Sequence, residues 1–310
     1  VTSAAIGIDI GGTNIKAGLV AEDGSLLERF TVPTEADAGP DALRAKLLAI
    51  VGEAERIASG RGIGIGGVGV GTAGQVNRHT GGVAGATGNL PGWAGTPLAG
   101  WLTAETGLRV VVDNDVNMMA VGEAWLGAGR SWQDFVCLSL GTGIGGCLIM
   151  NGVPYLGRDG YAGELGHLVI QADGLPCNCG GQGCWEQYAS VNALKRQLSE
   201  WPGGAGWDSP EELFESARKG DLEASRILDR YASFVAVGLT NVIHIFNPPG
   251  IVIGGAIVAG QGDALLERIR SQVYRRAMKV FNEPVPVRIA GAELGDHAGV
   301  FGAAGAILRG

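Results

Sequence analysis

Short apolar runs broken by glycine alternate along the chain with longer stretches whose apolar residues recur every three to four positions, the two periods that separate strand from helix. Residues 4–10 form the first run, rich in Ile and interrupted by Asp9, so a strand delivers an acid to the turn Gly11-Gly12-Thr13. Residues 15–20 return as a second strand, and Asp23-Gly24 has the composition of a type I′ hairpin turn before a third strand at 25–32. Pro40 and Asp41 open a helix whose Leu43, Leu47, Ile50, Val51, Ala54, Ile57 and Ala58 share one face, and Gly60 and Gly62 end it. A strand at 63–70 leads into a turn-rich stretch, 72–93, that carries Gly88-Asn89-Leu90-Pro91-Gly92-Trp93. A short strand at 110–112 ends in Asp113-Asn114-Asp115, and 116–126 has helical composition. The C-terminal end of a strand is where α/β sheets take ligands, so this polar triplet is a candidate site.

The opening theme returns at Asp134: a strand at 135–140, the turn Gly141-Thr142-Gly143, a strand at 144–150 and the hairpin signal Asn151-Gly152. The repeat predicts two similar α/β domains facing each other across a cleft, each presenting a Gly-Thr turn to it. Helices are expected at 191–198, from Ser209-Pro210 onward, at 222–246 and at about 263–280, with strands at 251–253 and 285–290. The 222–246 helix is apolar enough to be buried, which makes His244 a core histidine, and Met118-Met119 reads as helix packing. A Gly/Ala helix at 299–308 closes the chain.

With 310 residues there is chain enough for two domains, and 55 glycines imply many tight turns and close backbone approaches. The net charge of -8 leaves no basic patch visible, which argues against nucleic acid and against an anionic membrane as partners. No signal peptide is recognisable, and no apolar run is long enough to span a bilayer. G-x-G-x-x-G occurs four times, at Gly62/Gly64/Gly67, Gly64/Gly66/Gly69, Gly69/Gly71/Gly74 and Gly141/Gly143/Gly146. Matches at this glycine content arise by chance, and the last runs into a strand rather than the helix a dinucleotide site needs.

Residues 163–186, GELGHLVIQADGLPCNCGGQGCWE, hold the densest chemistry. Cys177, Cys179 and Cys184 follow His167 after a short apolar run, a closed tetrahedral set for a structural zinc ion; a redox pair or buried inert thiols are the competing readings. Cys137 and Cys147 fall in strand-like runs as buried free thiols, so a reducing cytoplasm fits. Glu164 and Glu186 flank the loop and can accept paired hydroxyls of a sugar. Asp9 reads either as a turn acid or, opposite a second Gly-Thr turn, as the carboxylate that holds hydrated Mg²⁺ against phosphate oxygens. Asp115 has an equally local reading as the N-cap of the helix starting at Val116.

In order, Asp9-Ile-Gly-Gly-Thr13, Gly88-Asn-Leu-Pro-Gly-Trp93, Asn114-Asp115, Gly141-Thr-Gly143, Glu164-Leu-Gly-His167 and Cys177-x-Cys179-x4-Cys184-x-Glu186 resemble the motifs of ROK-family sugar kinases over essentially the whole chain. Gly183-Cys-Trp-Glu-Gln-Tyr-Ala-Ser190 is most similar to the bacterial glucokinases of that family. The resemblance implies a two-domain α/β fold of the hexokinase, Hsp70 and actin superfamily. Its small domain would span 1–117, completed by a helix at 300–310, and its large domain 118–299, with the zinc loop at 167–184. It implies ATP-dependent phosphorylation of the 6-hydroxyl of glucose, with Asp115 as general base and Asn89, Asn114, Asp115, Glu164, His167 and Glu186 contacting the sugar. Asp9, Gly11, Gly12, Thr13, Lys16, Gly141, Thr142, Gly143, Gly254 and Gly255 would lie on the Mg-ATP side, and His167, Cys177, Cys179 and Cys184 would bind zinc. A homodimer is also implied. The alternatives are kinases for N-acetylmannosamine, N-acetylglucosamine or another hexose, polyphosphate as donor, and a sugar-sensing ROK repressor. Such repressors carry a DNA-binding domain before the first strand, which here starts within a few residues of Val1.

Overall fold

The computed structural model describes residues 3–86, 88, 90–201, 206–259, 261 and 263–310. By internal contact the chain divides into two units. One comprises Val1–Gln133, Leu148–Ala162 and Glu293–Gly310; the other comprises Asp134–Cys147 and Gly163–Ala292.

In the first unit the elements are β1 (Ser3–Ile10), β2 (Asn14–Ala21), β3 (Leu26–Pro33), α1 (Pro40–Gly60), β4 (Gly64–Thr72), β5 (Gln75–Asn77), β6 (Gly82–Gly85), α2 (Leu98–Thr106), β7 (Val110–Asn114) and α3 (Asp115–Trp125). Its main sheet has the order β3-β2-β1-β4-β7, an antiparallel meander extended by two parallel strands. The turn at Asp23-Gly24 differs from the type I′ expected: only Gly24 has positive φ, and Gly24 N donates to Ala21 O while Ala21 N donates to Ser25 O, both at 2.9 Å. This is the three-residue hairpin with a bulge, in which a single left-handed glycine absorbs the extra residue.

Strand alternation sorts the residues of β1 to opposite faces. Ala4, Ile6, Ile8 and Ile10 join Leu43, Leu47, Ile50 and Val51 of α1 in one core, while Ala5 packs with Val300, Ala304 and Ile307 on the other face. Those last three belong to the Gly/Ala helix Ala298–Leu308. It lies so close to the sheet that a Cβ at Gly7 would overlap Val300 O and one at Gly69 would overlap Ala303 O. The odd residues of β1 on this face, Ala5, Gly7 and Asp9, therefore end in a carboxylate directed at the start of the helix.

In chain order β8 (Phe135–Leu140) and β9 (Ile144–Met150) come next and repeat the opening hairpin; β10 (Val153–Pro154) follows through Asn151 and Gly152, both at positive φ as a type I′ turn requires. Beyond the cysteine loop come α4 (Glu186–Ala189), α5 (Val191–Ser199), α6 (Pro210–Arg218), α7 (Leu222–Phe246), β11 (Gly250–Gly254), α8 (Asp263–Arg276), β12 (Arg288–Gly291) and α9, the terminal helix already given. The sheet order β10-β9-β8-β11-β12 mirrors that of the first sheet, so the repeat read from the two Gly-Thr turns is a repeat of topology. Cys137 and Cys147 are buried within it and form no disulfide.

Three expectations change here. The strand expected at 285–290 starts only at Arg288, because Pro284 and Pro286 have no N–H to give a ladder. Helix α8 stops at Arg276, and a short 3₁₀ turn, Lys279–Phe281, takes the rest of its expected span. Helix α7 is buried along most of its length, but its last turn is exposed, and His244 there is no core residue: its Nε2 accepts from Met278 N at 3.2 Å.

Candidate active site

In the first unit the polar triplet falls at the junction of β7 and α3. The helix starts at Asp115, and Asn114 is its N-cap: the Asn114 side-chain oxygen accepts from Val116 N at 2.8 Å and Asn117 N at 3.3 Å. The cap role considered for Asp115 thus belongs to its neighbour, although Asp115 Oδ1 also accepts from Val116 N at 3.0 Å. Asn114 Nδ2 donates to Gly74 O at 3.0 Å, which fixes its amide from both ends. Asp113 is engaged locally, accepting from Asn117 Nδ2 at 2.8 Å and Asn114 N at 2.7 Å.

Asp9 pairs across the sheet with Lys16 on one side and Gly71 on the other. A Cβ on Gly71 would lie 3.3 Å from the Met118 side chain and 3.5 Å from Asp115 Cα, so the first turn of α3 passes close to this strand position. Lys16 Nζ forms an ion pair with Asp296 at 3.0 Å. Asn89 lies outside the described residues, but the loop that carries it is anchored: Trp93, fully buried, donates from Nε1 to Thr72 Oγ1 at 2.9 Å. Thr72 is the register neighbour of Asn114.

Burial, followed by the charge of Asp115, pushes the Asp9 carboxyl up to about 7; Lys16 opposes the shift and Asp296 adds to it. A folded-state value above the unfolded 3.8 means that the folded chain holds this proton more tightly. The resulting stabilisation is complete below 3.8 and is lost as pH rises through about 7. Without nucleotide or divalent metal, Asp9→Asn should therefore gain Tm relative to the parent between pH 5 and pH 8. Parallel Tm profiles for the two proteins would refute this assignment.

In the second unit the turn at Gly141 closes through Gly141 N to Gly143 O at 3.0 Å and is tied to the start of α5 by Val191 N to Gly141 O at 2.8 Å. Glu186 opens α4 with its side chain only 12% exposed, and its Oε2 would be 2.6 Å from a Cβ on Gly143. Any larger residue at 143 would push that carboxylate away. The preceding residue is the anchor: Trp185 is fully buried and donates from Nε1 to Phe234 O of α7 at 2.9 Å. Gly254 ends β11 beside β8 and Gly255 follows it, close to where Ile257 N donates to Leu140 O at 3.3 Å.

His167 and the three cysteines converge, with all four donor atoms within 4.8 Å of one another. Cys177 Sγ lies 3.6 Å from His167 Nδ1, and Cys179 Sγ lies 3.7 Å from Cys184 Sγ. Bonds of about 2.3 Å to a tetrahedral zinc would space sulfur donors about 3.7 Å apart, so both edges fit. None of the three cysteines is in a disulfide. Burial pushes the Cys184 thiol up to about 12, so an ion entering the set must displace its proton. Cys177 Sγ donates to Glu186 Oε1 at 3.3 Å, and Glu164 Oε2 stands 3.8 Å from His167 Nε2, so both flanking carboxylates abut the donor set.

Two mixed sheets of repeated topology, each leading into a Gly-Thr turn, define the fold of the actin-like ATPase class of sugar kinases. The chain belongs to the ROK family, whose model matches residues 5–309. It is 36% identical to the glucokinase of Thermotoga maritima, with 97% of this chain and 96% of that protein covered. It is 32% identical to an N-acetyl-D-glucosamine kinase of Pectobacterium atrosepticum, with 96% and 97% covered. Among solved structures it is similar to a ROK family glucokinase from Streptomyces griseus in complex with glucose and AMPPNP, with a TM-score of 0.84, 34% identity, and 99% of this chain and 100% of that one covered.

Proposed function

We propose that this chain is an ATP-dependent hexose kinase that phosphorylates the 6-hydroxyl of glucose. The observation that carries the reading is its full-length likeness to a ROK glucokinase solved with glucose and an ATP analogue. Asn89, Asn114, Glu164, His167 and Glu186 hold the sugar hydroxyls; the turns at Gly11, Gly12, Thr13 and at Gly141, Thr142, Gly143, with Lys16, hold phosphates; Gly254 and Gly255 take the adenosine side. Asp115 accepts the 6-hydroxyl proton as the oxygen bonds to the γ-phosphorus and the bond to the bridging oxygen of ADP breaks. Asp9 helps to hold the Mg²⁺ that accompanies ATP, and the ion supplies charge neutralisation at the phosphates. The His167, Cys177, Cys179 and Cys184 set holds structural zinc, since four protein ligands leave no open position for substrate. A homodimer completes the proposal, as does a cytoplasmic location, which five cysteines outside disulfides favour.

The second reading, a kinase for an N-acetylated hexosamine, is favoured by the likeness to the Pectobacterium enzyme. A coupled assay with MgATP against glucose, mannose, N-acetylglucosamine and N-acetylmannosamine separates the two. Glucose is expected to give the highest kcat/KM, and a higher value with either N-acetylhexosamine would overturn the assignment. Polyphosphate in place of ATP should give little turnover in the same assay.

A further inference from the structure

The first Gly-Thr turn has few side-chain atoms with which to hold its own shape. Gly12 and Thr13 are exposed, and glycine peptides reorient at low steric cost. Behind the turn lies Thr34, just past β3, a polar residue with 0% exposure. Its hydroxyl donates to Gly11 O at 2.6 Å and its N–H donates to Thr13 O at 2.9 Å, so one residue grips both ends of the turn. A trans peptide directs its N–H opposite its C=O. The bond to Gly11 O therefore fixes the Gly12 N–H on the side facing away from Thr34.

Thr34 is itself braced. Its carbonyl accepts from Lys46 Nζ at 3.1 Å, and the same ammonium reaches Pro33 O at 2.8 Å and Glu35 Oε2 at 2.5 Å. Glu35 takes a left-handed backbone, φ 50, at the point where its carboxylate meets that lysine. Lys46 belongs to α1, whose inner face is core, so the turn is tied through Thr34 to a rigid element.

We propose that Thr34 is a positioning residue for the nucleotide: by holding both carbonyls of the turn it keeps the opposing N–H groups aimed at phosphate. This rests on the reading of Gly11, Gly12 and Thr13 as a phosphate-binding turn. The test is calorimetric titration with MgAMPPNP and with glucose, beside steady-state kinetics, for the parent, Thr34→Val, Thr34→Ser and Gly12→Asp. Thr34→Val keeps the shape and loses the hydroxyl donor; it should weaken MgAMPPNP binding and raise the KM for ATP by about tenfold, the scale of one buried hydrogen bond, with glucose affinity within about twofold of the parent. Thr34→Ser should restore both nucleotide values. Parent-like nucleotide affinity in Thr34→Val, equal losses for nucleotide and glucose, or a serine variant no better than valine would each overturn the proposal. Gly12→Asp sets a carboxylate where phosphate should sit and reports on the underlying reading. If it binds MgAMPPNP like the parent, the phosphate turn is misassigned and the role of Thr34 falls with it; if it loses nucleotide while Thr34→Val does not, only the role of Thr34 falls.

Discussion

Asp115→Asn is expected to lower kcat by ~10²–10⁴, the usual cost of removing a general base, while calorimetric glucose affinity stays close to the parent value. The substitution is unusually clean here because the helix cap is elsewhere. Asn114 takes the N-terminal donors of α3, so exchanging the next side chain for its amide leaves capping intact and Tm nearly unchanged. The amide can still hydrogen-bond the sugar hydroxyl but cannot take its proton. Near-parent kcat in a variant that binds glucose normally would show that another group carries the proton. Asp113 is poorly suited to that role, since its carboxylate is engaged with Asn117 and with the Asn114 backbone.

The second large effect is expected at the cysteine set. Parent protein purified without chelator should contain about one zinc per chain, and Cys184→Ser should lose it, lower Tm by about 10 °C and weaken glucose binding at least about tenfold. Two neighbours would link a zinc ion bound there to the proposed sugar side. Cys184 immediately precedes Trp185, the indole anchored on α7, and Cys177 touches Glu186, the carboxylate seated against Gly143. Loosening the loop therefore loosens Glu186. Metal analysis that finds no zinc, or a serine variant with undiminished glucose affinity, would remove this link.

Residues whose partners are close in sequence, or whose spacing favours one chemistry, are legible in the sequence. The C-x-C-x4-C pattern with His167 is such a case, and its four donors converge. The duplicated Gly-Thr turns are another, because a repeated strand-turn-strand pattern leaves few topologies open. The Asn114-Asp115 pair marks the limit: both side chains are good caps, and propensity cannot say which one turns toward the helix. Thr34 and Asp296 lie beyond that limit. Their partners, Gly11 and Lys16, are distant in sequence, and a lone threonine after a strand carries no local signal. The closeness of Asp9 to Asp115 depends in the same way on the pairing of β1 with β4 and of β4 with β7, which no local pattern signals.

The terminal helix α9 has a consequence for how the protein is made. β1 and β4 leave the ribosome long before Ala298–Leu308, the helix that supplies the layer covering one of their faces. Until then Ala5, Val20 and the bare backbone at Gly7 and Gly69 present an uncovered face on a growing polypeptide. Contacts this remote in sequence form slowly, because a long loop must close before they give any stabilisation. The first unit thus completes its folding only after translation of the second. In the cell, that interval is when chaperone binding or premature association would act on this protein.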